Sequence, residues 1–364
     1  MNYDYLIVGC GIFGTTFARL ATDAGKKCLI IDKRDHIGGS AYTENNGGIH
    51  VHTYGPHVFH TSNKKVWDFV NKYAEFNNFV LSPKASTGGK LFSLPFNMNT
   101  FYEMWGVETP DEVKDIIESQ RFKGTPKNLE EQALSMVGTD IYKALIKGYT
   151  AKQWGKKATE LPTFLIKRLP LRFIYDNNYF NDRYQGVPIG GFTRMFEKML
   201  DGIEVKLNDD YKGWNREYYN SIADKVVYTG CIDEFFDYKY GELGYRSLRF
   251  ETDVKQTENY QGCAVINQCD HSEQYTRTVE HKHFEKVKTN HTVITREYPI
   301  EYKRGMTPYY PINNKDNAEM YEKYRKESKS LTKFIFGGRL AEYKYMDMHI
   351  VIESAMNKFK TTIK

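Results

Sequence analysis

Two short apolar runs near the start of the chain, residues 5–8 (YLIV) and 28–31 (CLII), each read as a buried strand. Between them a helical pattern begins near Thr15. Residues 225–230 (KVVYTG) read as another buried strand ending in a small-residue turn, and residues 333–336 make one more, followed by Gly337 and Gly338. Residues 47–62 are loop-rich, and a short helix follows near 66–73. From about 101 to 147 the pattern is helical. Thr109-Pro110-Asp111-Glu112 is a helix start with proline in the first turn, and Asn128-Leu129-Glu130-Glu131 opens another. Between 249 and 299, β-branched and aromatic runs such as 291–294 favour strands. A last helix, about 347–360, carries Met348, Val351, Ile352, Ala355, Met356 and Phe359 at helical spacing. No internal repeat or low-complexity segment interrupts this order. It predicts an α/β chain whose first domain is assembled from the start, middle and end of the sequence.

The junction of the first strand and helix is Gly9-Cys10-Gly11-Ile12-Phe13-Gly14, and the second strand ends on Asp32. Strand, G-x-G-x-x-G turn, helix, strand and acidic residue make a βαβ dinucleotide fingerprint. Gly9 permits the tight turn, Gly11 lets backbone approach a pyrophosphate, and Gly14 lets helix and strand pack closely. The helix N-terminus offers unpaired N–H groups and partial positive charge to the phosphates. A second glycine pair, Gly38-Gly39, follows Lys33 and precedes Ser40. FAD enzymes commonly use such a pair against the rest of the cofactor, which favours FAD over NAD. The candidate cofactor set is Gly9, Gly11, Ile12, Phe13, Gly14, Asp32, Lys33, Gly38, Gly39, Ser40 and Thr229.

At 364 residues the chain suits two or three packed subdomains rather than one small core. No apolar stretch approaches the ~18 residues a membrane span needs, and the N-terminus is a strand rather than a signal segment. A cytoplasmic location is expected. Five cysteines, an odd count with no CxxC, read as free thiols in a reducing compartment and argue against zinc. A net charge of +5 is too small to indicate nucleic acid but suits an anionic small molecule. The 28 tyrosines serve equally well to line sugar and base pockets or to fill cores.

No Ser-His-Asp or nucleophilic cysteine pattern is legible. His50, His52, His57 and His60 cluster in sequence, as do His281 and His283, without the further ligands a metal site needs. Residues 54–61 (YGPHVFHT) look like a rigid loop that either holds the His57 imidazole against a planar cofactor or is structural. Residues 147–155 (KGYTAKQWG) place two aromatics among small and basic residues, where an aromatic face can stack a base and a tryptophan on a glycine-flanked loop can close over a sugar. Residues 166–172 (IKRLPLR) are kept from simple helix by Pro170. Their arginines suit bidentate phosphate capture, or else form a solvated basic face.

With the fingerprint, YGPHVFHT, GYTAKQWG (148–155), IKRLPLRF (166–173), DNNYF (176–180), EHKHF (280–284), PYYP (308–311) and FGGRLAEYKYMDMH (336–349) closely resemble the UDP-galactopyranose mutase family over nearly the whole chain. The resemblance implies a Rossmann-like FAD-binding domain with an inserted helical subdomain and a twisted antiparallel sheet. The expected boundaries are 1–98 with 190–240 and 330–364 for the FAD domain, 99–165 for the helical subdomain, and 166–189 with 241–329 for a mobile lid and substrate sheet. It implies interconversion of UDP-galactopyranose and UDP-galactofuranose by reduced FAD, whose N5 attacks the anomeric carbon with UDP leaving, in supply of cell-surface glycans. An external reductant such as NAD(P)H and a homodimer are also implied. By matching position, Arg168 is the lid arginine and Arg277 the fixed one, clamping the diphosphate. Tyr179, Tyr310 and Tyr345 donate to phosphates, Tyr149 stacks on uracil, and Trp154 covers the sugar. Asp347 lies near flavin and sugar, His57 beside the isoalloxazine, and Arg339 and Met348 with the cofactor; Arg246 matches an arginine near the site. Met346 interrupts an aromatic-rich segment, and Asp32 stands where FAD enzymes often have glutamate, with the same hydrogen-bonding capacity. An FAD amine oxidase shares the fingerprint without explaining the arginine, tyrosine and tryptophan segments. A non-catalytic sugar-nucleotide binder is the remaining alternative.

Overall fold

Tyr3–Val8 pairs in parallel with Ala223–Tyr228 on one side and Cys28–Ile31 on the other, bringing Val8 level with both Tyr228 and Ile31. Phe334–Phe336 and Glu204–Lys206 complete the edges of a five-stranded parallel sheet. Strands covered on both faces must be apolar throughout, which is why these runs do not alternate. The structure, a computed structural model, describes every residue except Met1, Arg168, Asn313 and Lys364.

Helix Ile12–Asp23 leaves the glycine turn three residues earlier than the apolar pattern predicts. Its first turn contains Gly14, which carries no side chain to register a helical stripe. The helix packs on the last helix, Met348–Thr362, through Phe17, Ala18 and Ala21 against Val351, Ala355 and Phe359. Phe17 and Phe359 meet edge to face at 5.5 Å. Start, middle and end of the chain thus share one apolar core.

The second sheet has seven strands, in spatial order Tyr310–Pro311, Tyr245–Lys255, Thr292–Glu301, Arg277–Glu280, Val265–Gln268, Lys84–Thr87 and Lys90–Ser93. Every pairing is antiparallel except that of Val265–Gln268 with Lys84–Thr87. Residues 47–62, expected as loop, contain two short strands. Ile49–His52 pairs with Thr43–Asn46, and Phe59–Thr61 pairs with the distant Tyr184–Gly186. Strands this short exist only through their partners, so their own residues carry no periodic signal.

The helical region runs through Met98–Trp105, Pro110–Gln120 and Leu129–Ile141, then a π-helical turn, Tyr142–Lys147, and helix Gly148–Trp154. Thr109 and Glu112 form a reciprocal capping box at the predicted start. The loop expected to carry Trp154 is instead this last helix, and Gly155 ends it at φ +64°. Phe96, Phe101, Val113, Leu129, Ala133 and Ile141 form its separate core. Among the described residues no helix is long and apolar enough to cross a membrane.

Candidate functional site

The glycine turn is crowded at Gly9 and Gly14, where a side chain does not fit. Gly9 has φ +108°, and a Cβ there would lie 2.0 Å from Thr229 Oγ1, whose hydroxyl donates to Val8 O at 2.7 Å. A Cβ on Gly14 would fall 2.0 Å from Gly9 O. Gly39, at φ +56°, brings its backbone so close to Gly11 that a Cβ would stand 2.9 Å from the Gly11 Cα. Buried Asp32 stitches the turn: one carboxylate oxygen accepts the Cys10 N–H at 2.7 Å, the other the Arg34 N–H at 2.9 Å. A carboxylate has lone pairs beyond these two for a ribose hydroxyl. Helix Ile12–Asp23 starts at Gly11 without a side-chain cap, leaving its first N–H groups to an anion. This cradle fits the pyrophosphate and ribose of a dinucleotide such as FAD.

Other expected cofactor residues surround it. Phe13 is buried, and its ring occupies the space a side chain at Gly337 would need, with Cζ 2.0 Å from that Cβ position. Ile12 and Met348 are partly buried against the core beside it. Gly38 is buried at φ +83°, Ser40 lies half-buried in the turn Gly39–Ala41, and Lys33 is exposed.

The second sheet contributes the cationic side. Arg277 begins strand Arg277–Glu280 and stands opposite Glu297 in register. Its Nη2 donates to Tyr149 Oη at 2.9 Å. Burial opposes charge on this guanidinium, but Glu297, Tyr149 and Tyr310 outweigh it and hold its pKa well above the ordinary value. Burial pushes the Glu297 carboxyl up, against the pull of Arg277. Tyr310 and Tyr345 stack with ring centroids 6.1 Å apart, and Arg339 lies 4.9 Å over the Tyr345 ring while donating to Tyr309 O at 2.6 Å. Burial raises the pKa of the Tyr310 phenol, so it remains a donor at neutral pH.

His57 sits on the loop after strand Ile49–His52. Its Nδ1 is 2.7 Å from Gly55 O, which assigns the proton to Nδ1 and leaves Nε2 as an acceptor. Its backbone N–H donates to His52 Nδ1 at 3.0 Å, and the His52 N–H donates to His281 Nδ1 at 3.2 Å. His281 Nε2 in turn reaches Thr295 Oγ1 at 2.8 Å. Burial drives the His57 pKa down to about 4 and that of His281 to about 3, so both rings are neutral at pH 7. Nearby Arg339 and Arg277 lower His57 further.

These contacts draw Arg277, Tyr149, Tyr310, Tyr345, Arg339 and His57 into one neighbourhood. Arg246 joins from strand Tyr245–Lys255, where it pairs with Tyr310, its Nε donating to Gln153 O at 3.2 Å. Trp154 is half-buried and packs against the helical core. Tyr179 is half-buried, its N–H donating to Leu81 O at 2.8 Å and its ring set edge-on to Phe180. Asp347 occupies the N-cap position of the last helix. Arg168 lies outside the described residues. Sequence reasoning gave Glu297 and Lys152 no role and noted His52 only within a histidine cluster. His281 lay within the EHKHF motif, but nothing in the TREYP run marks Glu297 except its alternation.

The arrangement suits a dinucleotide beside a small dianion. Phenols and guanidinium groups can bind and neutralise a diphosphate, and a neutral imidazole faces the same region. Among the described residues no group of three or more His, Cys, Asp or Glu is arranged to hold a metal ion.

Comparison with known proteins points the same way. A family model described as UDP-galactopyranose mutase matches residues 144–345, and one described as an NAD(P)-binding Rossmann-like domain matches residues 7–73. A probable UDP-galactopyranose mutase of Klebsiella pneumoniae is 41% identical over 98% of this chain and 93% of its own. A dTDP-fucopyranose mutase of Escherichia coli is 39% identical over 99% and 98%. A crystal structure of reduced UDP-galactopyranose mutase superposes with a TM-score of 0.78 at 14% identity, covering 99% of this chain and 95% of its own. Putrescine oxidase bound to putrescine superposes at 0.58 and 12% identity, covering 100% and 99%. These structural likenesses show the fold.

Proposed function

The chain belongs to the UDP-galactopyranose mutase family, and from that premise we propose that it is an isomerase interconverting UDP-galactopyranose and UDP-galactofuranose with FAD in the glycine cradle. The observation that carries this reading is the Arg277–Tyr149 hydrogen bond at 2.9 Å, which joins the guanidinium proposed to bind the diphosphate to the ring proposed to stack on the base. The cradle formed by Gly9, Gly11, Gly14, Asp32, Gly38 and Gly39 would hold the dinucleotide. FAD, when bound and reduced, supplies a nucleophilic nitrogen, N5, toward the anomeric carbon.

The chain's own residues do the rest. Arg277 draws charge from the diphosphate as UDP departs, and Tyr310 and Tyr345 donate hydroxyl hydrogens to its oxygens. Tyr149 stacks on the base and keeps the nucleotide from drifting while the sugar is detached. His57, neutral and fixed by Gly55 O, presents an acceptor nitrogen without adding positive charge. Arg168 is assigned to the same diphosphate by motif position.

Near-equal similarity to the E. coli relative supports a second reading, in which the sugar nucleotide is dTDP-fucopyranose. Product analysis with each nucleotide, with and without dithionite, tests both. Conversion of UDP-galactofuranose only after reduction supports the first reading. A higher kcat/KM for the dTDP-linked sugar selects the second, and no conversion of either, with FAD bound and reduced, overturns both.

A further inference from the structure

Lys152 lies one helical turn beyond Tyr149 on helix Gly148–Trp154, and its ammonium is committed to three backbone carbonyls. It donates to Gln268 O at 2.9 Å, Asp270 O at 2.7 Å and Tyr275 O at 3.1 Å. An ammonium has three donors and no acceptor, so this set uses its full capacity. The compact tetrahedral head suits three converging carbonyls better than a planar guanidinium does. Gln268 ends strand Val265–Gln268, Asp270 and Tyr275 lie in the connection from it to strand Arg277–Glu280, and Arg277 is the first residue of the latter.

A second contact docks the same helix on the same connection. A Cβ on Gly148 would lie 2.0 Å from Cys269 O, so the helix can come this close only with glycine there. Across the joint, Arg277 reaches back to Tyr149 Oη. The helix and the connection therefore form one unit, although one belongs to the helical region and the other to the sheet.

We propose that Lys152 is a positioning residue for the sugar nucleotide. By clamping the 268–275 connection onto the helix, it holds the Tyr149 ring and the Arg277 guanidinium at one separation, so that base and diphosphate meet a preformed pair. This rests on the proposed roles of Tyr149 and Arg277. Without the clamp, the two groups would have to be ordered by the nucleotide itself, at the expense of affinity.

The test uses FAD-loaded protein and UDP as probe, with calorimetric binding, thermal midpoint and steady-state kinetics read together. Lys152→Met keeps the aliphatic stem and removes all three donors. It is expected to weaken UDP binding roughly tenfold or more and to raise KM far more than it lowers kcat, with FAD content retained. Lys152→Arg should recover part of the affinity. Gly148→Ala, which pushes the helix off Cys269 O without touching the lysine, should weaken UDP binding similarly and serves as the deciding variant if Lys152→Met does not fold. Wild-type UDP affinity in the folded variants, even with a lowered thermal midpoint, would overturn the proposal. Failure of the unmodified protein to bind either UDP or dTDP would overturn the proposed nucleotide roles and this inference with them.

Discussion

Arg277 and Glu297 face each other across adjacent antiparallel strands with Arg277 Nε 3.7 Å from Glu297 Oε1, and the carboxylate side chain is 1% exposed. Neither of these two atoms has a hydrogen-bond partner among the described residues. The pair is therefore held by charge and register rather than by a bidentate fork. Glu297→Ala would strand a largely buried cation, and breaking such a pair costs about 3 kcal/mol. Urea unfolding should show a loss of that order, and Glu297→Gln, which keeps the shape and a polar partner, should lose less.

Arg277→Ala removes the cation itself. Turnover should fall by a factor corresponding to about 3 kcal/mol, in keeping with the removal of one donor from an anion-stabilising site. Flavin absorbance per protein should be unchanged, because the glycine cradle lies on the other sheet. Wild-type turnover would remove Arg277 from the mechanism.

On the proposed role of Tyr149, Tyr149→Ala is expected to raise KM more than it lowers kcat, because a base-stacking contact is equally strong before and during reaction. Steady-state kinetics with UDP-galactofuranose measure the split. A large fall in kcat at constant KM would instead make Tyr149 part of the chemical step.

Half-buried His57 and buried His281 predict a pH dependence of stability. An unfolded histidine titrates near 6.5, whereas His57 and His281 have pKa values of about 4 and about 3 in the fold. Between those limits the unfolded chain binds more protons, so these residues make stability rise with pH and cost stability as pH falls below 6.5. Each can contribute at most about 1.4 kcal/mol per pH unit in that window. His281→Asn keeps an acceptor for the His52 N–H but does not titrate. Urea unfolding between pH 4 and 6.5 should therefore show a shallower slope for this variant.

Gly14→Ala places a methyl group 2.0 Å from Gly9 O in the unmoved backbone. The turn must open to accept it, so bound flavin per protein should fall sharply. Gly25→Ala is the contrast for crowding: a Cβ there meets nothing within 4 Å, although Gly25 has φ +78°. Its smaller local strain should leave flavin content unchanged.

The glycine turn and its flanking elements were legible because they are neighbours in the chain. Strand, glycine turn, helix and Asp32 all fall within the first 32 residues, and the constraint on each glycine is local. The helix start at Thr109 was readable for the same reason, since a capping box is written in four consecutive residues. Motif resemblance named Arg277 and Tyr149 individually, but no spacing rule places them 2.9 Å apart across 128 residues of chain. Glu297 stayed hidden because its importance comes from strand register, which seats it opposite Arg277. Lys152 was one basic residue among several until three carbonyls from a distant segment converged on it.

Periodicity, caps and glycine turns act over a few residues, so the order of letters was sufficient for the nucleotide half and the family. The substrate half depended on long-range pairing. Burial there sets which charges survive, and register sets which side chains meet, and both exist only once the two sheets and the helical region have packed.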